Sequence, residues 1–533
     1  MKPYFRSLSN PILPLLPAFA AGFCAPVILF TIFLFFLPAA RANAAFFRYK
    51  NVVRQAAELA KKTYQAPPPI PRALSALRYN QWRSICFKPE KSLWRRRKLS
   101  FEVQLFHPGF LYNRVVAINV VRYGHVRAVP FSREMFNYGI AGLKAETPKG
   151  LGFAGFRIHY PINIKKYKDE FAVFLGASYF RATGAGENYG LSARGLAIDC
   201  ALPAGEEFPW FREFWLVRPV RGARSITVYA LMDSPSVAGA YKFMIRPGET
   251  TVMTVNCALF PRKKIKKPGI APLTSMFFYG ENTNVRPVDD FRPQVHDSDG
   301  LLIETGTGEW IWRPLINPAR LLVTSFQMAD PKGFGLFQQD RNFNDYQDLE
   351  SHYEKRPSLW VKPLKGFSGK GRVELVEIPA PDEHDDNIVA YWVPDHIPKS
   401  FSYRLEWGPV DSWLPPGGKV IATRTAAGRK SGDKLYLIDF NGARLRHLPA
   451  RAGARLKGVV TMEGAALTGE QLEKNTATGG WRLIIHARRE KGMLGQVISK
   501  VAPDGFSRPI ELRAFLRLGK NTLTDTWSYV DPQ

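Results

Sequence analysis

Tyr241-Lys242-Phe243-Met244-Ile245-Arg246-Pro247-Gly248-Glu249-Thr250-Thr251-Val252-Met253-Thr254-Val255-Asn256-Cys257 is the stretch on which the fold class turns. Two β-rich runs, Tyr241 to Ile245 and Thr251 to Cys257, flank a Pro-Gly turn signal, and that pattern predicts a hairpin. The same text recurs on either side. Phe101, Val103 and Leu105 alternate with polar residues, and the runs Val115 to Val121 and Ile226 to Met232 are bounded by turn signals. One amphipathic helix is expected over residues 51–64, where Val52, Val53, Ala56, Leu59 and Ala60 share a face, and Pro67-Pro68-Pro69 ends it. The 43 glycines and 41 prolines make turns frequent and long helices scarce. No βαβ unit repeats, so the chain reads as all-β rather than as a parallel α/β sheet.

At 533 residues the chain is too long for one ordinary core. The aromatic and glycine-rich text stops near Val393-Pro394-Asp395-His396-Ile397-Pro398, and a boundary is placed there, dividing 45–395 from 396–533. Seven short strand candidates follow: Tyr403 to Trp407, Val420 to Thr423, Leu435 to Phe440, Leu456 to Met462, Trp481 to Ala487, Ile510 to Leu518 and Thr526 to Val530. Their spacing suits a small immunoglobulin-like β-sandwich without the antibody-type disulfide.

Residues 1–44 read as an export signal. Lys2 and Arg6 form a positive start, an apolar run ends in Val27 to Leu37, and Ala42-Asn43-Ala44 fits a peptidase site with cleavage after Ala44. No twin arginine is present, so the general secretory route is expected, with the periplasm as destination. The alternative is an uncleaved anchor, because about 20 apolar residues span a bilayer. Cys24 leaves with the signal. Cys86, Cys200 and Cys257 remain, an odd number, with no CxxC metal spacing; a Cys200–Cys257 bridge is left open. Formal net charge is +28, with basic runs at Arg95-Arg96-Arg97-Lys98 and Arg262-Lys263-Lys264. Such charge suits an anionic membrane surface or an anionic glycan; export argues against nucleic acid, and the plainer reading is a solvated surface.

Gly184-Ala185-Gly186-Glu187-Asn188-Tyr189-Gly190 has the wrong spacing for a dinucleotide loop and is read as an ordinary loop. His296-Asp297-Ser298-Asp299-Gly300 lacks the further acids of an EF-hand but places two carboxylates and a histidine together, in chemistry or in a capped turn. In Asp382-Glu383-His384-Asp385-Asp386-Asn387 four carboxylates crowd, so one proton affinity should rise, which a general acid needs; the plainer reading is a solvated loop. Trp310, Trp312, Tyr346, Tyr353, Trp360 and Trp392, with Arg313, Arg341 and Arg356, lie between or beside the two clusters. Aromatic faces beside carboxylates and guanidiniums suit a saccharide cleft, although aromatics are equally ordinary core.

With these residues in view, the chain resembles the periplasmic glucan biosynthesis protein family (OpgG/OpgD, MdoG type) from about Phe46 to Trp407. The resemblance is carried by Gly152 to Arg157, Phe174 to Arg181, Tyr189 to Ala197, Ala271 to Met276, His296 to Gly300, Trp312 to Leu315 and Asp386 to Ala390, in that order. It implies a large N-terminal β-sandwich that binds glucan, joined to the small immunoglobulin-like domain. It also implies a role in osmoregulated periplasmic glucan synthesis and, for some members, inverting hydrolysis or transglycosylation of β-1,2-glucan without metal or organic cofactor. By motif, Asp386 would be the general acid and Glu383 its neighbour. Asp297 would be the base, with Asp299 second. Tyr353 would lie in the cleft. Apart from the resemblance, the nearness of Trp312, Arg313, Tyr346, Arg356, Trp360 and His296 to the acids in sequence leads to the expectation that they contact the sugar. The other reading is a non-catalytic glucan-binding protein serving a membrane glucosyltransferase. Leu364-Lys365-Gly366-Phe367-Ser368-Gly369 departs from the family form, with Phe-Ser where Trp-Gly is expected, and should bear on cleft shape.

Overall fold

The computed structural model describes residues 46–284, 286–409, 413, 415–428, 432–449, 455–489 and 509–532. Residues 1–44, read from the sequence as an export signal, fall outside them. Phe46–Gln533 forms one compact unit. The all-β reading holds. Among the described residues a ten-stranded sheet and a fifteen-stranded sheet carry most of the chain, and a four-stranded sheet is built from later residues. The expected hairpin is Val237–Arg246 paired antiparallel with Thr251–Pro261, in the larger sheet. The helix is Tyr49–Ala60, and it buries Val52 and Ala56.

Aromatic side chains join the two large sheets. Phe156 and Phe174 of the ten-stranded sheet meet Phe214 of the other edge-on, at 5.0 and 5.7 Å between ring centres, and Phe174 and Phe180 meet Phe243 at 5.1 Å. Edge-to-face rings pack the core between the sheets. Cys200 and Cys257 are both buried free thiols, so the bridge left open by the sequence is not formed.

Six of the seven later strand candidates form close to where they were expected, from Lys419–Ala427 to Thr526–Asp531. A further strand, Ala465–Lys474, was not anticipated, because only Ala465 of its ten residues is buried and no apolar alternation marks it. Tyr403 to Trp407 is a strand, but it belongs to the large sheet. Ser400–Gly408 lies between Thr251–Pro261 and Ser358–Lys365, with Phe401, Tyr403, Leu405 and Trp407 buried in the main core. The proline-bearing stretch before it therefore connects two strands of the large sheets, Ile388–Pro394 and Ser400–Gly408. Alternation identifies a strand but not the sheet it joins.

The later strands also enter the large sheet directly. Thr526–Asp531 pairs parallel with Trp310–Pro314, Ile311 facing Thr526 and Trp312 facing Trp527. One hydrophobic cluster contains Leu302, Trp312 and Trp360 together with Tyr436, Trp481 and Trp527. Trp312 lies across Gly300 of the neighbouring strand so closely that a Cβ there would come within 2.1 Å of its ring. Gly300→Ala should therefore push a large ring out of place and cost about 1–3 kcal/mol. Denaturant midpoints of the two forms measure this; an unchanged midpoint would mean that the ring has room to move.

Candidate functional site

The order of strands in the ten-stranded sheet sets the site. Tyr179–Ala182, Ser192–Arg194, Pro268–Ser275 and Ile388–Pro394 lie side by side. Thr274 faces Ser192 on one side and Val389 on the other, and Ser275 faces Ile388. The next residues leave the sheet at this end. The Asn387 side chain accepts from the Phe277 N–H at 2.8 Å and donates to the Phe277 and Ile378 carbonyls at 2.9 and 3.1 Å. Phe277 pairs in turn with His296, and the Asp297 N–H donates to the Met276 carbonyl at 2.9 Å. Asp386 and Asp297 are thus each one residue from a group fixed on Phe277.

Their electrostatics are linked, because the Asp386 charge acts on Asp297. Asp297 is 8 % exposed, its Oδ1 has no hydrogen-bond partner, and its nearest cation is Arg356 Nη1 at 3.5 Å. Burial pushes its carboxyl up to about 6; Arg356 and Arg181 oppose this, while the charges of Asp386 and Glu383 add to it. Asp386 is exposed to solvent, yet the surrounding protein desolvates its carboxyl enough to raise it. Arg181 and Arg194 work against the rise and Asp385 works with it. The Asp386 charge also reaches Tyr112 and Tyr179, which line a cavity of about 170 Å³. One carboxyl is thus sheltered and the other solvent-reached, both with raised proton affinity. Such a pair is equipped to give and take protons.

Glu383 has another role. Its Oε2 accepts from Arg292 Nη1 at 2.5 Å and from the Tyr353 hydroxyl at 3.1 Å, and Arg292 also binds Asp290 and Asp348. It anchors the loop that carries Asp386. Asp299 faces a different recess. Its Oδ2 accepts the N–H groups of Gln339 and Asp340, and burial raises it first, with the Asp340 and Glu281 charges adding. That recess is closed by Ile421, Ala422 and Thr423 from the later strands.

The expected sugar contacts divide sharply. Tyr353 and Arg356 stand beside the acids, the guanidinium 5.1 Å from the ring centre. Trp312, Arg313, Tyr346, Trp360 and His296 are buried packing. Arg313 is fully buried and pairs with the equally buried Glu377 at 2.9 Å. Trp360 stacks on Trp310 at 5.8 Å, and the Tyr346 hydroxyl donates to the Asp340 carbonyl. The His296 ring nitrogens bond to Gln338 and Gln294, its ring stacks on Phe277 at 5.3 Å, and burial lowers its proton affinity to about 4. These residues were grouped by sequence proximity, which carries no information about burial. The Leu364 to Gly369 loop also misses the site. Phe367 packs on Phe401 and Tyr403, at the opposite end of the eight-residue strand Ser358–Lys365 from Arg356.

Residues that the sequence reading did not single out complete the wall. Arg194 donates to Thr274 and Glu206 at 2.8 and 2.6 Å and covers the Tyr179 ring at 4.9 Å. The loop read as ordinary also takes part: Glu187 pairs with Arg341 at 2.7 Å, and the Tyr189 carbonyl accepts from Arg356. Arg181 and Arg194 lay inside matched stretches, but no acid near them in sequence drew attention to them.

Asp297 yields a stability prediction. A carboxyl raised from an ordinary value near 4 to about 6 disfavours the folded state once ionised. The penalty is absent below about pH 4, grows to pH 6 and is full above it. Asp297→Asn should therefore stabilise by about 1–3 kcal/mol at pH 7.5 and by almost nothing at pH 3.5. Unfolding at the two pH values measures this; equal effects at both would sink the account.

Comparison with known proteins shows what the chain is similar to. The model of the family described as "Periplasmic glucan biosynthesis protein, MdoG" matches residues 47–530. The "Glucans biosynthesis protein G" of Ralstonia nicotianae is 48% identical over 514 residues, covering 93% of this chain and 98% of that one. The proteins of the same name from Rhodopseudomonas palustris and Bradyrhizobium diazoefficiens are 45% and 47% identical, each over 90% of this chain and 92% of their own. The chain belongs to the periplasmic glucan biosynthesis protein family.

Proposed function

We propose that this protein cleaves or transfers β-1,2-glucan with inversion, in the periplasm, as its part in glucan biosynthesis. The observation that supports the reading is that Asp386 and Asp297, each next to a residue held on Phe277, both have raised proton affinity, with the Asp386 charge felt at Asp297. Asp386, on the solvent side, protonates the departing glycosidic oxygen. Asp297, sheltered and ionised above about pH 6, draws the proton from the attacking water, directly or through a substrate hydroxyl or second water. Arg356 keeps Asp297 from rising further, so Arg356→Gln moves the acidic limb of the rate profile to higher pH. Tyr112 and Tyr179 offer ring faces to the sugar, and no metal is called upon. Export by the general secretory route with cleavage after Ala44 delivers the chain to glucan made by a membrane glucosyltransferase.

The test is release of reducing ends from linear β-1,2-glucan, with product anomers followed by NMR. Asp386→Asn should lower the rate by about 10²–10⁴-fold and leave glucan affinity, read by calorimetry, within a few-fold. Asp299→Asn should change the rate much less, because that carboxylate faces the other recess. Glucan binding without turnover in the unaltered protein would overturn the catalytic reading and leave a glucan-binding role.

A further inference from the structure

The far edge of the fifteen-stranded sheet is the strand His125–Ala128, joined to Ala117–Arg122 by the turn Tyr123-Gly124 and exposed along its whole length. A cavity of about 530 Å³ opens beside it. Its floor is apolar, with Leu93, Trp94 and Val120, and its rim carries Arg97, Arg122, Arg127 and Arg218. No Asp or Glu lines it. Among the described residues none of these four guanidiniums is in an ion pair, whereas Arg95 nearby is neutralised by Glu102 at 2.9 Å. Burial first, and then the charges of Arg97 and Arg122, hold Arg218 below its usual proton affinity, so the cluster repels itself without an anion. Two apolar side chains stand out from the same edge: Tyr123 is 76% exposed, with Arg122 4.8 Å from its ring centre, and Val126 is 42% exposed.

The chain also arrives at this edge. The Phe47 N–H donates to the Gly124 carbonyl at 2.8 Å, and the Phe46 ring lies 6.4 Å from that of His125. No Asp or Glu occurs before Glu58, while Arg41, Arg48, Lys50 and Arg54 do. The stretch that meets this edge at Phe46 and Phe47 is itself basic, and the edge bears exposed tyrosine and valine.

We propose that this edge is a docking surface for an anionic phospholipid bilayer, held by Arg97, Arg122, Arg127 and Arg218 with Tyr123 and Val126 entering the headgroup layer. A neutral glucan offers nothing to four unpaired guanidiniums. A soluble polyanion offers nothing to Tyr123 and Val126. A bilayer with anionic headgroups matches both. The surface keeps the protein at the membrane after the apolar segment is removed.

Because Phe46–Gln533 is compact by itself, the test uses the chain beginning at Ala45, in which the apolar run cannot insert. It should cosediment with phosphatidylglycerol/phosphatidylcholine vesicles at low salt and not with phosphatidylcholine alone. Arg122→Glu with Arg127→Glu should weaken partitioning at least about tenfold, since one basic residue near such a surface is worth roughly fivefold. Lys165→Glu with Lys166→Glu makes the same charge change on an exposed loop elsewhere and should leave binding within about twofold. Tyr123→Ser should reduce the fraction that resists high salt. Unchanged thermal unfolding confirms that each variant is folded. Equal losses in the two double variants, no binding to anionic vesicles, or binding to dextran sulfate with none to vesicles would each overturn the proposal. Glucan turnover plays no part in these readouts.

Discussion

The buried Asn387 amide is the interaction on which the site depends. One side chain, 2 % exposed, bonds both the N–H and the carbonyl of Phe277 and reaches the Ile378 carbonyl as well. It thereby locks the start of Ile388–Pro394 to the segment leading to Asp297. A buried hydrogen bond contributes only about 1 kcal/mol net, but a buried polar group left without its partner costs about 1–3 kcal/mol. Loss of the amide would orphan both Phe277 groups together. The penalty would fall on the geometry that brings Asp386 and Asp297 together, because both depend on where Phe277 sits.

Around that fixed point the molecule tolerates an unfavourable charge. Asp297 is buried with an oxygen that bonds nothing and with a cation only at 3.5 Å. Elsewhere in the same core the protein pairs buried charge closely. Arg313 and Glu377 are 2.9 Å apart, and Lys267 and Glu374 2.6 Å. The looser contact at Asp297 is therefore a local exception. A carboxylate with a free lone pair facing a recess is costly for folding and useful for taking a proton.

Much of this was legible in the sequence, for identifiable reasons. Strands with one buried face announce themselves by alternation, so Ile510–Leu518 was found with its ends correct, whereas Ala465–Lys474, with a single buried position, was not. The sheet that a strand joins is a long-range fact, and Ser400–Gly408 was assigned to the wrong one. Asp297 and Asp386 stood out because acids crowd around them in sequence. Arg181 and Arg194 come from strands about 200 residues before Asp386 and reach it only through the lateral order Tyr179–Ala182, Ser192–Arg194, Pro268–Ser275, Ile388–Pro394. Trp312 and Trp360 read as sugar platforms because an aromatic on a glycine-faced inner strand looks like one on a surface until the glycines beneath it are seen.

The parallel pairing of Trp310–Pro314 with Thr526–Asp531 bears on how the chain matures. The paired residues are about 215 positions apart. While residues before Thr526 emerge from a ribosome or a membrane pore, the inner strand that will bury Trp312 has an open edge and an uncovered tryptophan. Such an edge is a template for wrong partners. Folding of the large sheet is therefore tied to the arrival of its most distant strand, and the long-range closure makes it slow. Until that strand arrives, the strong positive charge of the chain opposes its self-association.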